Sequence, residues 1–183
     1  MIRAAEGGEL RRLKSFIPGR LILCRGTWRD YLSLERFHYR ARRPATVAGV
    51  WVVRHISPRG KTGRTVAAAV LSYPTISCVA RDQALGLHVL PSRQRIRFVN
   101  AHIRTISRVI VHPTFRSLGL ANHLVGEILR ECPTRYVEAL AMMGRVHPFF
   151  SAAGMNELRP IDEGKPSYFW FDRDAKPTPV RLC

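Results

Sequence analysis

The sequence predicts an α/β fold in which a mixed, mostly antiparallel central sheet is flanked by helices. Residues 106–112 form a β-branched run that ends at Pro113, and an amphipathic segment with helical spacing begins at Leu120. Residues 47–55 and 65–73 are two strand-like segments separated by turn-forming residues, which predicts an antiparallel hairpin. With 183 residues and 46% hydrophobic composition, we expect one domain with a sizeable core.

The first predicted elements follow a short basic segment. Residues 1–18 carry apolar side chains among arginines and a lysine, and we treat them as a basic N-terminal arm. Residues 21–24 predict the first strand. Thr27 and Asp30 have the spacing of a capping box, with Asp in place of the usual Glu or Gln. This pair predicts a helix that starts here and ends near residues 37–40.

A long connection, residues 74–105, separates the hairpin from the next strand, and a structureless loop of this length is uncommon inside one domain. We predict a helix over residues 93–103 with Ile96 and Val99 facing inward. Its arginines are a candidate surface for nucleic-acid phosphates, and a solvated basic face without a ligand is the alternative. The candidate nucleic-acid-binding residues are Arg93, Arg95, Arg97 and Arg104.

The loop between the strand at 106–112 and the following helix has the composition of a phosphate-binding site. Arg116 supplies a positive charge, and Gly119 lets the backbone approach a ligand closely. The helix that follows presents free amides and the positive end of its dipole. An ordinary strand-to-helix turn without a ligand is the alternative.

The rest of the chain adds two strands. Residues 136–143 predict a strand, and residues 168–171 predict a final strand. The tail, residues 172–183, is rich in proline, and we expect it to be loosely held.

The charge of the chain is its most informative bulk property. Lys and Arg number 30 against 13 Asp and Glu, which gives a net charge of +17 with neutral histidines. This surplus favours a polyanionic partner such as DNA or RNA. The alternative is an arginine-rich proteome, which would raise arginine but would not by itself remove the acidic residues.

The cysteines and the hydropathy pattern bear on the cellular compartment. The 4 cysteines include no C-x-x-C pair, so the sequence signals neither a disulfide framework nor a zinc site. No apolar run reaches the roughly 18 to 20 residues that span a membrane. The charged N-terminus lacks the apolar centre of a signal peptide. We therefore expect a cytoplasmic protein that does not contact a membrane.

The order of strand, Arg-x-x-Gly-x-Ala loop and helix resembles the pyrophosphate-binding loop of the GNAT acyltransferase superfamily. The resemblance covers most of residues 19–171, with 74–105 as an inserted basic segment. Residues 147–155 resemble the short helix that closes GNAT domains and ends in Gly-aromatic, with Met155 in place of the aromatic residue. It implies acetyl-CoA or another acyl-CoA as donor, with the diphosphate on the loop amides and the pantetheine arm along the preceding strand. The donor-binding residues that it implies are Val109, Val111, Arg116, Ser117, Gly119, Leu120, Ala121 and Asn122.

The proton donor is where the chain departs from that family. GNAT proteins often place a tyrosine four residues before the glycine of the closing helix, and this position is Phe150 here. A phenyl ring cannot donate a proton, which leaves Glu138, His147 and His112 as candidates. His147 has the alternative role of capping the closing helix. Glu138 interrupts an otherwise apolar strand, so its carboxylate must be paired, exposed or functional.

A shorter resemblance concerns the Mom-type phage proteins, GNAT relatives that modify adenine N6 in DNA. Phe37-His38-Tyr39 resembles their His-Tyr element, and Ser107-Arg108 resembles the start of their Thr-Arg-apolar strand. It implies that His38, Tyr39 and Arg108 line the site, with His38 and Tyr39 as iron ligands. Packing at a helix end is the alternative for the first two. A phage-encoded protein of this type would act in the cytoplasm of its bacterial host.

Three functions remain in competition at this point. The leading hypothesis is Mom-type modification of adenine N6 in DNA, favoured by the charge and the His-Tyr element, with DNA ahead of RNA as partner. The alternative is an acetyl-CoA-dependent N-acetyltransferase for a protein or small amine, favoured by the intact phosphate loop. The third is a non-catalytic nucleic-acid-binding GNAT relative, suggested by Phe150. The sequence leaves the oligomeric state open, a homodimer included.

Overall fold

The computed structural model describes residues 18–38, 43–60, 63–142, 148–162 and 164–175. Tyr39 and His147, two of the residues predicted for the site, lie outside this part of the chain. So do residues 1–17 of the predicted arm and residues 176–183 of the predicted tail.

In the described residues, a mixed sheet of seven strands forms the centre of the molecule. The strands are β1 (Arg20–Arg25), β2 (Gly49–Ile56), β3 (Arg64–Ser72), β4 (Ile103–Val111), β5 (Tyr136–Ala141), β6 (Asn156–Leu158) and β7 (Ser167–Asp172). Their order across the sheet is β1-β2-β3-β4-β5-β7-β6, and each neighbouring pair is antiparallel except β4 and β5. The predicted fold class is therefore confirmed.

Helices cover both faces of this sheet. They are α1 (Trp28–Leu34), α2 (Val79–Ala84), α3 (Ser92–His102), α4 (Leu120–Glu131) and α5 (Phe149–Ala152). Tyr31 and Leu34 of α1 are buried in the core on one face. The other face is covered by the apolar stripe of α4, which consists of Leu120, Leu124, Val125, Ile128 and Leu129. Because β3 is covered on both faces, residues 65–72 are all buried, which explains their nearly continuous apolar run.

The start of α1 is fixed by the predicted capping box. The Asp30 carboxylate accepts hydrogen bonds from the backbone amide of Thr27 at 2.8 Å and from its hydroxyl at 2.9 Å. The same carboxylate accepts a hydrogen bond from Thr65 of β3 at 2.8 Å and one from Arg54 of β2 at 2.9 Å. Asp30 thus joins the first turn of α1 to the sheet.

β4 contains a β-bulge in its middle. Leu71 of β3 pairs with Ile106, whereas the preceding residue, Val70, pairs with Arg108. Ser107 is therefore an extra residue on the β4 side of the ladder.

This bulge changes the face of the sheet that the side chains of β4 reach. Ile106 packs in the core beneath α4, and Ile110 packs in the core beneath α1. A regular strand would place both on one face, because its side chains alternate with a period of two. After the bulge, Val109 and Val111 pack toward α4, so Arg108 points toward α1.

β4 and β5 pair over their first residues and then diverge. The parallel register joins residues 103–105 to residues 136–138. β4 continues to Val111, and within the described residues no later residue of β4 pairs with β5. The edge of β4 that faces β5 is therefore open from residue 106 onward.

The inserted segment holds two helices, of which one was predicted. α3 confirms the helix expected over residues 93–103, and α2 precedes it. Val99 is buried as predicted, in a small core with Leu87, Ile103 and Tyr136. The inward placement of Ile96 is wrong, because this side chain is 37% exposed. Most of the first half of α3 is exposed to solvent, namely residues 92–94, 96 and 97, whereas Arg95 is half-buried.

Three smaller findings complete the fold. The three-residue strand β6 was not predicted, and it adds an outer strand to β7. Among the described residues, no helix is both long enough and apolar enough to cross a bilayer. Among the described residues, Cys24, Cys78 and Cys132 are free cysteines.

Candidate functional site

A cavity of about 750 Å³ lies where β4 and β5 diverge, next to the start of α4. This volume is in the range of pockets that bind cofactors and drug-sized ligands. Its walls come from the residues that follow α1, from β4, from the loop before α4, and from the connection between β5 and α5. The lining residues are Phe37, His38, Ile106–Val111 in sequence, Phe115, Arg116, Ser117, Gly119, Leu120, Ala121, Asn122, Leu140, Ala141, Pro148, Phe149 and Phe150.

The loop before α4 has the backbone of an anion-binding turn. Ser117 has a φ of 64° and Gly119 a φ of 71°, and Ser117 is the one described non-glycine residue with positive φ. Left-handed residues of this kind turn successive backbone amides toward a common concave side. The first amides of α4 also lack carbonyl partners within the helix, and the positive end of its dipole faces the cavity.

Position 119 favours glycine because of its backbone conformation, and not because a side chain would lack room. A Cβ atom there would meet no atom closer than Cδ2 of His123, at 4.0 Å. Its left-handed φ, by contrast, is unfavourable for residues that carry a Cβ. At Ser117 the chain tolerates this conformation in a serine, which is the kind of local strain that accumulates at binding sites.

The structure brings together the residues predicted to bind the donor. They all line the cavity: Val109, Val111, Arg116, Ser117, Gly119, Leu120, Ala121 and Asn122. Arg116 is exposed at the opening, whereas Leu120 is buried and anchors the start of α4. The valines lie on the α4 side of β4, the same side as the loop. Their role in binding a donor stays a prediction.

His38 and Arg108 are also brought together in this cavity, and both lie toward α1. Arg108 is 8% exposed, and its guanidinium donates a hydrogen bond to the carbonyl of Ser107 at 2.6 Å. Burial raises the pKa of the Tyr31 hydroxyl in the helix above, and the charge of Arg108 opposes that rise. This wall of the cavity therefore combines an imidazole with a buried cation.

Glu138 lies outside the cavity, in a buried network. Its carboxylate accepts two hydrogen bonds from Arg81 of α2, at 2.8 and 2.7 Å, and one from the Thr105 hydroxyl at 2.7 Å. Tyr168 of β7 donates another at 3.0 Å. The carboxylate is thus paired, which was one of the three roles expected for it, and it holds the inserted segment against β5. Burial and the Glu138 charge raise the pKa of Tyr168.

Two further residues bear on proton transfer, His112 and Phe150. Burial and the charges of Arg64, Arg36 and Arg116 lower the pKa of His112. Its Nε2 atom lies 2.8 Å from the Arg64 guanidinium, which donates to it. Phe150 lines the cavity and packs against Phe149 and Phe169, so no proton donor occupies this position.

The arginines of the predicted phosphate-contacting face differ in their surroundings. Arg95 forms an ion pair with Asp82 at 3.0 Å. Arg104 donates to the carbonyl of Asn100 at 2.9 Å and stacks over the Tyr73 ring at 4.5 Å. Arg93 and Arg97 are exposed, and neither has an acidic partner among the described residues. Two of the four predicted arginines thus remain directed at solvent.

The predicted iron site gains no support from the described residues. No three His, Cys, Asp or Glu side chains among them come together as metal ligands. His38 lines the cavity, whereas Tyr39, the other predicted ligand, and His147, a predicted acid, lie outside the described residues. His38 is the one imidazole among the described lining residues, and the guanidinium of Arg108 on the same wall does not bind metals.

Several residues that line the cavity were not predicted from the sequence. Leu140 and Ala141 end β5 opposite the open edge of β4, and Phe149 begins α5. These are ordinary apolar residues, and no local pattern distinguishes them from core residues. Ser107 could have been found, because it directly precedes Arg108 in the short Mom-like element.

No protein-family model and no curated protein matches the chain. Solved structures do match. NAA60 of Arabidopsis thaliana, in complex with acetyl-CoA, is 12% identical, with a TM-score of 0.54 over 83% of this chain and 99% of that one. The GNAT family N-acetyltransferase YhbS of Escherichia coli, in complex with CoA, is 12% identical, with a TM-score of 0.52 over 86% and 84%.

A third structure agrees with these two. Ard1 of Thermoplasma volcanium is 13% identical, with a TM-score of 0.51 over 83% of this chain and 97% of that one. At these identities the likeness concerns the fold, and it gives no support to the Mom-type resemblance. The chain has the fold of the GNAT N-acetyltransferases.

Proposed function

We propose that the protein is an N-acyltransferase that uses an acyl-CoA donor. The observation that carries this proposal is the anion-binding loop at the start of α4, which opens into the same cavity as the free edge of β4. A diphosphate and a long amide-containing arm need such a combination, because one is anionic and the other hydrogen-bonds like a peptide strand. GNAT-fold neighbours that bind acetyl-CoA or CoA support the same donor class.

In this proposal each part of the donor has a place. The diphosphate binds the amides of residues 117–122, with Arg116 adding a charge-assisted contact. The pantetheine arm lies against the open edge of β4 at Val109 and Val111, which has peptide groups directed into the gap. The thioester then lies deeper in the cavity, near the bulge.

The acyl transfer needs a base more than an acid. The acceptor amine attacks the thioester carbon, the C–S bond breaks, and the amine proton passes to His38, the one imidazole among the described lining residues. The sulfur leaves as a thiolate, and because thiols ionise at about pH 8.5, it can leave without a proton donor. Phe150 is therefore compatible with turnover.

Calorimetric titration with acetyl-CoA, followed by a thiol-release assay with a panel of amines, tests the proposal. We expect acetyl-CoA to bind, and Arg116→Ala to weaken its binding about tenfold through the lost phosphate contact. Arg130→Ala is the matched control, because Arg130 is exposed and pairs with Glu127 outside the cavity. Failure of the wild-type protein to bind acetyl-CoA would contradict the proposal.

A second candidate function, nucleic-acid modification, is favoured by the net charge of +17. In its specific form this is the Mom-type modification of adenine N6 in DNA. Mass spectrometry of nucleosides from DNA and RNA of cells that express the wild type or Arg108→Ala would test it. A new adenosine-derived species that disappears with the variant supports this function. Unchanged nucleosides, together with amine acylation in vitro, would contradict this function and support the acyltransferase function.

A further inference from the structure

Positive charge is concentrated beside the cavity, at the point where β4 ends. His112 directly follows Val111, the last residue of this strand. The centre of its ring lies 4.7 Å from that of Phe37 and 6.0 Å from that of Phe115. Both phenylalanines line the cavity. His112 therefore lies next to the cavity wall, and it serves as a reference point for the charges around it.

Three arginines lie around this imidazole. Arg64 donates a hydrogen bond to the Nε2 atom of His112 at 2.8 Å. The Arg36 guanidinium lies 4.8 Å from the centre of the Phe37 ring. Burial lowers the pKa of His112, and the charges of Arg64, Arg36 and Arg116 lower it further, which places all three close to the ring. We call Arg36, Arg64, His112 and Arg116 the basic rim.

No acidic side chain among the described residues neutralises the basic rim. Arg36, Arg64 and Arg116 are exposed, and none of them forms an ion pair in the described part of the chain. Asp30 and Glu35, the acidic residues of α1 and of the turn after it, are bound by other arginines at 2.9 and 3.0 Å. Because like charges close together repel one another, the basic rim favours a ligand that carries several negative charges.

The composition of the basic rim suits a chain of phosphates. Guanidiniums bind phosphates through paired donors, and three of them offer several separate contacts. The rings of Phe37 and His112 are only half-buried, so part of each remains accessible for stacking with a base. The net charge of +17 adds long-range attraction for the same kind of polymer. An acidic protein segment would match the charges but has no bases to stack on these rings.

We propose that the basic rim binds the phosphate backbone of a nucleic acid and thereby places part of that strand beside the cavity. The inference adds a binding surface to the protein, and this binding needs no acyl donor, so it goes beyond the proposed acyltransferase function. CoA is a second source of phosphates near Arg116. The affinities for nucleic acid and for acetyl-CoA are therefore both measured on the same variants.

Fluorescence anisotropy with a labelled single strand of DNA of about 20 nucleotides, titrated at several salt concentrations, tests the inference. The test variant is Arg36→Gln/Arg64→Gln. Its control, with the same net charge, is Arg130→Gln/Arg159→Gln. These two arginines are exposed and pair with glutamates, one in the last turn of α4 and the other directly after β6. Arg36→Lys/Arg64→Lys keeps the charge of the rim. Calorimetric titration measures acetyl-CoA binding for every variant.

We expect the wild type to bind the strand, and Arg36→Gln/Arg64→Gln to bind it about tenfold more weakly or worse. The slope of log K against log salt concentration should decrease by about 1.4, because each phosphate contact on a single strand contributes about 0.7. The lysine variant and the control should keep the wild-type slope, since the first still neutralises the phosphates and the second leaves the basic rim intact. All variants should bind acetyl-CoA as the wild type does.

Four results would overturn the inference. The first is no binding of the strand by the wild type at low salt, and the second is an equal loss of affinity in the glutamine variant and the control. The third is weaker acetyl-CoA binding by the glutamine variant with unchanged affinity for the strand, which would assign the basic rim to the donor. The fourth is displacement of the strand by polyglutamate as effectively as by unlabelled DNA, which would indicate an acidic protein as the partner. Because the substituted arginines are exposed, we expect all variants to melt at the wild-type temperature.

Discussion

At the scale of single residues, His38 carries the chemistry in the proposed reaction. His38→Gln should lower kcat about 100-fold, which is within the usual contribution of a general base. The KM for acetyl-CoA should stay the same, because the donor binds on the other side of β4. Steady-state kinetics with a saturating amine measure both constants. A raised KM for acetyl-CoA with unchanged kcat would place His38 in donor binding instead.

Glu138 is expected to support the structure, and Glu138→Gln separates this role from catalysis. The substitution leaves the buried Arg81 guanidinium without a charge partner, so we expect a loss of about 3 kcal/mol or more in the free energy of unfolding. Chemical denaturation measures this loss. Glu127→Gln, which breaks an exposed pair with Arg130, should change stability far less. Full stability with abolished turnover would support the catalytic role predicted from the sequence.

The sequence identified Glu138 as unusual but could not identify its partner. An acidic residue in an apolar strand is a visible exception, whereas Arg81 is 57 residues away and lies in a helix that the sequence analysis did not predict. The same limit applies to Arg108. The sequence shows that Arg108 lies in a strand. The face of the sheet to which its side chain points, however, depends on a bulge that shifts the register by one residue.

At the scale of elements, Asp30 makes the attachment of α1 dependent on pH. Burial favours a higher pKa for this carboxyl, but the Thr27 amide, the hydroxyls of Thr65 and Thr27 and the charge of Arg54 together lower it. A lowered pKa in the folded state adds stability above the unfolded value, about 3.9, and this stability is lost as the pH falls through the folded value.

Asp30→Asn should therefore destabilise the protein by about 1–2 kcal/mol at pH 7. The difference in the free energy of unfolding between the wild type and the variant should become smaller as the pH falls below about 4, because the wild-type carboxyl then becomes protonated. Urea unfolding at a series of pH values measures both effects. A difference that stays constant down to pH 2 would exclude ionisation of Asp30 as the cause.

The loop before α4 can be tested through its two left-handed residues. Gly119→Ala should cost about 1–2 kcal/mol of stability, since the φ of 71° is unfavourable for alanine. Ser117→Gly should leave stability unchanged or raise it by about 1 kcal/mol, and it should preserve acetyl-CoA binding because the amides remain. Denaturation and calorimetric titration measure these effects. Lost binding in Ser117→Gly would indicate that the serine hydroxyl contacts the ligand.

Elements with a long, periodic pattern were predicted well. The hairpin, the strand at 106–112 and α4 each repeat their apolar residues several times, so their type follows from local sequence. β6 has three residues and α2 has six, and both depend on tertiary contacts for their conformation. That residues 109–122 line one cavity could be predicted because they form one continuous stretch of chain, and their role in binding a donor stays a prediction. The remaining walls come from separate strands.

At the scale of the whole molecule, the net charge of +17 predicts salt-dependent binding to nucleic acid. If Arg93 and Arg97 of α3 contact phosphates, replacing both by alanine should reduce the slope of log K against log salt concentration by about 2. Fluorescence anisotropy with labelled duplex DNA measures this slope. Arg20 and Arg29, both exposed, provide a control double variant of equal net charge. Equal slopes for the two double variants would show that α3 has no special role.

The bulge in β4 has a consequence for how this protein could change over evolutionary time. A single strand contributes Val109 and Val111 to one side of the cavity and Arg108 to the other. In the proposed function, substitutions at position 108 therefore change the wall that faces α1, whereas the surface formed by Val109 and Val111 on the α4 side is inherited intact. Related proteins could then come to use different acceptors through few substitutions, while all of them keep the same proposed thioester donor.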